Sequence, residues 1–204
     1  MITIALVVIM IALIFVLKSL IFDLSINHNF QVIDAVTFIT SMLCISIYEE
    51  LSFRGIIFEW LTEKLGINLS ILLSSIIFSL FHITNNGFDF LSFLNVFLAG
   101  VFLSFLIFKS GSIIPSILFH FLWNISLPTF VDSSVSGFMY SNLIEFDSSS
   151  DIYFQLFFGD KFGIESGLVV TLLLILGIIV IAKYIKLSPY SEAVRLKKLY
   201  NTYN

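Results

Sequence analysis

The sequence predicts an all-α fold: a polytopic transmembrane helix bundle of about six spans, with its chemically active residues on three central helices. Three observations carry this expectation. Of the 204 residues, 58% are hydrophobic and 12% charged, and the mean hydropathy is +1.05. Soluble domains sit nearer roughly 45–50% apolar and about 25% charged. The apolar residues also fall in long runs: between Gly66 and Val131 the only formally charged side chains are Asp89 and Lys109. Uncharged apolar runs of about 18 residues or more mark helices that cross a bilayer. Finally, turn signals punctuate the runs at Lys64-Leu65-Gly66, Thr84-Asn85-Asn86-Gly87 and Lys109-Ser110-Gly111.

The elements follow in chain order. Residues 1–32 are read as an N-terminal span, 2–22, and its loop. This segment lacks a basic leading stretch and a small-residue cleavage site, so it is expected to be retained rather than removed as a signal peptide. Residues 33–131 form the core, with spans at 33–61, 67–84, 90–108 and 112–131. The second span, of about 29 residues, extends ~43 Å at the α-helical rise. That exceeds a hydrocarbon thickness of ~30 Å, and its end carries Arg54, Glu59, Glu63 and Lys64, so it projects beyond the bilayer. Residues 132–166 read as an extracytoplasmic loop, acidic, Ser-rich at Ser148-Ser149-Ser150 and solvated by default. Its apolar piece, Ile152 to Phe158, is expected at the interface or folded back. Residues 167–204 hold the last span, 167–187, and a basic cytoplasmic tail.

Basic residues orient the bundle. With both termini cytoplasmic, eight of the ten lie inside: Arg54, Lys64, Lys109, Lys183, Lys186, Arg195, Lys197 and Lys198. Only Lys18 and Lys161 lie outside. The chain is therefore expected to be a multi-pass cell-membrane protein, its tail attracted to anionic lipid. No basic face beyond that tail offers itself to nucleic acid. A single cysteine, Cys44, excludes an internal disulfide and is expected to be a buried thiol acting as a small apolar residue in a helix.

Ionisable and polar residues within a bilayer are costly and mark function by default. Tyr48-Glu49-Glu50-Leu51-Ser52-Phe53-Arg54-Gly55 lies on the second span. Adjacent carboxylates point about 100° apart on a helix, so the two glutamates cannot share a role. Glu50 and Arg54, at i and i+4, can pair on one face. Glu49 is then free to face something else, and a carboxylate there can accept a proton from water. His82 closes the third span in Phe78-Ser-Leu-Phe-His82. His120 and Asn124, again i and i+4, share one face of the fifth span. Asn85 and Asn86 read as turn polarity.

Helix geometry relates these groups. Glu49 lies 16 residues before Leu65 and His82 lies 16 residues after Gly66. Both are therefore ~24 Å from their shared turn and at one level. His120 lies 9 residues past Gly111, ~13 Å from its own turn. It reaches that level only if the first hairpin extends about 10 Å further.

The ordered set Glu49-Glu50-x-x-Phe53-Arg54-Gly55, Phe78-x-x-x-His82 and His120-x-x-x-Asn124 resembles the CPBP family. That family includes the CAAX prenyl proteases of the Ras-converting type and the bacterial Abi and bacteriocin-processing proteins. The likeness covers roughly residues 40–130. It implies an intramembrane endopeptidase of the glutamic type, with catalytic residues Glu49, His82, His120 and Asn124. Glu49 is the implied base for water, which His82 helps to hold. His120 and Asn124 are the implied oxyanion donors, and Glu50 and Arg54 brace the site from behind.

The implied substrate is a peptide or a membrane-anchored protein, in bacteriocin maturation or self-immunity. No cofactor is expected. A zinc metallopeptidase would use Glu49, His82 and His120 as ligands, but the chain has no H-E-x-x-H motif. Two competing classes are a non-enzymatic membrane immunity or partner-binding protein and an ion or proton-coupled transporter. The absence of an internal repeat argues against the transporter.

Overall fold

A computed structural model describes residues 2–27, 32–140, 142–146, 152–189 and 191–192. Ser148–Ser150 and the basic tail residues Arg195, Lys197 and Lys198 lie outside the described residues. The fold is an all-α membrane helix bundle. Helix α1 (Ile2–Ile21) buries Val7, Met10, Ile11, Ile14 and Lys18 at helical spacing, while Ile4, Val8, Leu13 and Leu20 stay exposed. An apolar face this continuous on the outside of a bundle is a face for lipid.

Helix α2 (Val32–Glu50) runs without a break into a π-helical segment (Leu51–Phe58) and then α3 (Glu59–Leu65). The apolar stretch Ala35–Leu65 is one 31-residue helix, longer at ~46 Å than the hydrocarbon needs. The π-helical segment begins directly after Glu49-Glu50. Such segments are rare and concentrate at functional sites. Gly66, with φ 85°, turns the chain into α4 (Ile67–Leu80).

Helices α5 (Phe90–Ser110) and α6 (Ile114–Val131) complete the centre, and α8 (Leu168–Tyr184) packs on α5. Four helices are long and apolar enough to cross a membrane: Ile2–Ile21, Ala35–Leu65, Phe90–Ser110 and Ile114–Val131. Two more, α4 and α8, are apolar but shorter. Small residues let α4 and α5 approach closely: a Cβ on Gly100 would lie 2.8 Å from Ser75 Cβ. Buried serines there spend their hydroxyls on their own helices, as Ser75 does on Ile71 O at 2.6 Å and Ser104 on Gly100 O at 2.8 Å, or across the interface, as Ser79 does on Phe93 O at 2.8 Å. Cys44 on α2, expected to be buried, is exposed. The main core lies between α1, α5, α6 and α8, around Ile14, Phe102, Phe119, Leu127, Val170 and Ile181.

The described residues of 132–166 are not the solvated loop expected: they fold back on the bundle, burying Phe158, Phe162 and Ile164. Its apolar piece is helix α7 (Ile152–Phe158). Strand β2 (Ile144–Phe146) pairs antiparallel with β1 (Leu24–Ile26), a two-stranded ribbon that an all-α reading lacks. The cause is long-range apolar burial by phenylalanines that sequence periodicity alone leaves unassigned.

Three charges in the apolar elements have structural work at helix ends. Lys18 Nζ donates to Val131 O at 2.6 Å, at the C-terminus of α6, and lies 4.6 Å from the Phe146 ring. Lys109 Nζ donates to Ala182 O at 2.8 Å, near the C-terminus of α8. Asp89 caps α5, accepting from Ser92 N at 2.7 Å, and Ser92 Oγ accepts from Asp89 N at 3.1 Å. Cations at helix C-termini and a carboxylate at an N-terminus complement the helix dipole. Glu49, Glu50 and Arg54 have no such duty.

Candidate active site

The site forms where α2 passes into its π-helical segment and faces α6. Glu50 is 0% exposed. Its Oε1 accepts from Arg54 Nη1 at 2.9 Å, the i, i+4 pair read from the sequence. Oε1 also accepts from His120 Nδ1 at 3.0 Å, and Oε2 accepts a short hydrogen bond from Ser116 Oγ. A buried carboxylate is tolerated only when paired and hydrogen-bonded, and Glu50 is both. Arg54, also buried, stacks over the Phe78 ring at 4.1 Å.

The Glu50 bond orients His120. A carboxylate accepts, so Nδ1 carries the proton, and Nε2 is turned away from Glu50. Nε2 lies 3.7 Å from Glu49 Oε2, beyond hydrogen-bond distance. Glu49 Oε2 is buried and has no hydrogen-bond partner among the described residues. The Glu49 side chain as a whole is 20% exposed, so it reaches the outside where Glu50 does not. The level of His120 thus matches that of Glu49. Glu49 and His82, expected to face each other, share no hydrogen bond or ion pair among the described residues.

His82 Nδ1 sits 2.9 Å from Phe78 O, a carbonyl that can only accept. That bond fixes the ring and leaves Nε2 with its lone pair. Phe78 packs edge-on against both histidines, at 4.9 Å from His82 and 6.2 Å from His120. His82, His120 and Asn124 line one cavity with about 40 Å³ of space for water, room for ~2–3 molecules. Asn124 is buried, and its amide makes no hydrogen bond among the described residues. Three His, Cys, Asp or Glu side chains close enough to share a metal ion do not occur among the described residues. The zinc set Glu49, His82 and His120 is therefore not gathered here.

Several participants escaped the sequence reading. Ser116 stands one helical turn before His120, so the 116/120/124 spacing was a usable signal for a polar stripe on α6. Asn95, Ser136 and Glu165 also line the cavity, and nothing local marks them. Asn85, read as turn polarity, donates from Nδ2 to Ser136 O at 3.0 Å and so anchors the folded-back segment.

Residues 31–126 match a family model described as type II CAAX prenyl endopeptidase, Rce1-like. No curated protein and no solved structure matches the chain. The matched segment runs from the start of α2 into α6 and contains Glu49, Glu50, Arg54, His82, Ser116, His120 and Asn124. That segment, just under half of the chain, is similar to the CPBP, or CAAX protease, family of membrane proteins.

Proposed function

We propose that this protein is an intramembrane endopeptidase of the glutamic type, with Glu49 as its base. Its substrate is a peptide or a membrane-anchored protein, and bacteriocin maturation or self-immunity is the proposed setting. The observation that carries this reading is the contrast between adjacent carboxylates. Glu50 is saturated by Arg54, Ser116 and His120, whereas Glu49 Oε2 has no hydrogen-bond partner among the described residues and lies 3.7 Å from His120 Nε2.

The proposed chemistry balances with water as the only co-reactant. Glu49 takes a proton from water as the oxygen attacks the peptide carbonyl carbon. His82 Nε2 accepts a hydrogen bond from that water and aims it. The oxyanion takes hydrogen bonds from Asn124 Nδ2 and from His120 Nε2–H. Because its Nδ1–H is given to Glu50, His120 donates from Nε2 as the imidazolium. The C–N bond then breaks, Glu49 returns its proton to the leaving amine, and a new carboxylate remains. Glu50 and Arg54 hold His120 in place throughout. This route needs no metal. We also propose six spans with both termini cytoplasmic, on the eight-to-two bias of basic residues.

The test is cleavage of a quenched-fluorescent farnesylated CAAX peptide, and of its unprenylated counterpart, by purified protein in proteoliposomes. Wild-type protein cleaves at least one, and Glu49→Gln, inserted equally well, cleaves neither. Wild-type turnover by Glu49→Gln would refute the base assignment.

A further inference from the structure

The cavity that holds His82, His120 and Asn124 is walled on one side by a residue outside the family core. Glu165 sits in a 3-10 turn (Ile164–Ser166) just before α8. Its carboxylate accepts from three donors on two other parts of the chain. Trp123 Nε1 donates to Oε1 at 3.1 Å. Ser136 donates to Oε2 twice, from its backbone N at 2.7 Å and from Oγ at 3.0 Å. The backbone of the turn is pinned as well: Asn95 Nδ2 on α5 donates to Glu165 O at 2.9 Å and to Gly167 O at 3.0 Å. Thr171 Oγ1 in turn donates to Asn95 Oδ1 at 2.7 Å, which sets the orientation of that amide.

Both attachments of the carboxylate lead to the site. Trp123 lies between His120 and Asn124 on α6 and is itself buried. Holding its indole fixes the rotation of the one turn of α6 that carries both residues. Ser136 has φ 47°, a left-handed conformation that a non-glycine residue adopts only when its surroundings impose it. Its carbonyl accepts from Asn85 Nδ2, three residues after His82. The next residue, Gly137, lies against the same turn so closely that a Cβ would fall 2.3 Å from Asn86 O. Glu165 therefore connects the helix of His120 and Asn124 to the turn that follows His82.

We propose that Glu165 is a positioning residue, whose carboxylate clamps Trp123 and the Ser136 turn and thereby sets the spacing of His120 and Asn124 against His82. The proposal rests on the endopeptidase reading for its effect on turnover, but the clamp itself is observable without any activity. Gln at this position keeps the size and breaks the pattern. Its amide NH₂ must face either the Trp123 N–H or the two Ser136 donors, so at least one bond becomes a donor–donor contact.

The chain has two tryptophans, Trp60 and Trp123, and Trp60 is exposed on α3. In full-length Trp60→Phe protein in proteoliposomes, emission reports on Trp123 alone. Glu165→Gln in that background is expected to shift the emission and raise its quenching by acrylamide. With the farnesylated CAAX peptide, Glu165→Gln should lower kcat by ~10–100-fold, as loss of an outer hydrogen-bond partner does, and leave KM within about twofold. Trp123→Phe should lower kcat in the same range, and the double variant should be no slower than the slower single one, because both act through one contact. If Glu165→Gln fails to insert, Ser136→Ala removes one donor alone and should shift emission and kcat in the same direction by less.

Unchanged Trp123 emission in Glu165→Gln overturns the clamp. Losses that multiply in the double variant overturn the route through Trp123. If the wild-type chain cuts no peptide, the endopeptidase reading fails for that substrate class, and the emission result alone decides the clamp. If Glu49→Gln abolishes cleavage while Glu165→Gln cleaves normally, the positioning role fails and the base assignment stands.

Discussion

His120 Nδ1 donates to Glu50 Oε1 at 3.0 Å across 70 residues of chain. This bond decides the roles of the two adjacent glutamates, because it commits Glu50 to holding the imidazole and leaves Glu49 beside its far nitrogen.

Glu50 is expected to matter first for structure. Glu50→Gln keeps the volume but replaces an oxygen that accepts from Ser116 or from Arg54 and His120. Breaking a buried charge pair from one side costs about 3–5 kcal/mol. The variant should therefore lose resistance to heat and to SDS in purified form, whereas Glu49→Gln should unfold as the wild type does. Equal stability of the Glu50→Gln and wild-type proteins would contradict the saturation of Glu50.

Ser116→Ala isolates one strand of the same network. The hydroxyl donates to a fully buried carboxylate, and a hydrogen bond to a charged group contributes roughly 1.5–3 kcal/mol. The expected result is a lower thermal midpoint, with a smaller loss of turnover than Glu49→Gln causes. Measured by the same peptide assay and a thermal melt, a Ser116→Ala protein indistinguishable from wild type would remove Ser116 from the site.

Asn124 lines the cavity one turn after His120, and its amide makes no hydrogen bond among the described residues. As an oxyanion donor its loss should cost ~10²–10³ in kcat. Asn124→Ala removes the donor, while Asn124→Asp retains the shape without the N–H. Both should be slow, with KM little changed. A selective rise in KM at normal kcat would mean that Asn124 binds substrate in the ground state only.

Metal analysis separates the glutamic route from the zinc one. Purified active protein is expected to hold no stoichiometric zinc and to keep its activity in chelator. One zinc per chain, lost together with activity in His120→Ala, would assign Glu49, His82 and His120 as ligands instead.

Reporter fusions test the topology. A fusion after Asn204 should report the cytoplasm and one at Ser149 the opposite side. An external C-terminus would refute the orientation drawn from basic residues.

What the sequence determined by itself was whatever depends on neighbours along one helix. The six apolar runs coincide with helices because length and composition suffice to mark them. The Glu50–Arg54 pair follows from the i, i+4 spacing, and the order of the three motifs places Glu49, His82, His120 and Asn124 in one family pattern. The tertiary structure alone decided which carboxylate His120 would take, since that depends on how α2 and α6 rotate about their axes as they pack. It also decided the fate of residues 132–166. Glu165 is one acidic residue among several in that segment, and only the burial of Phe158, Phe162 and Ile164 brings it to Trp123, 42 residues away in the chain. Helical periodicity carries information over a few turns. Contacts across 42 or 70 residues are selected by the packing of whole faces, where small residues such as Gly100 and Ser75 set how closely the backbones approach.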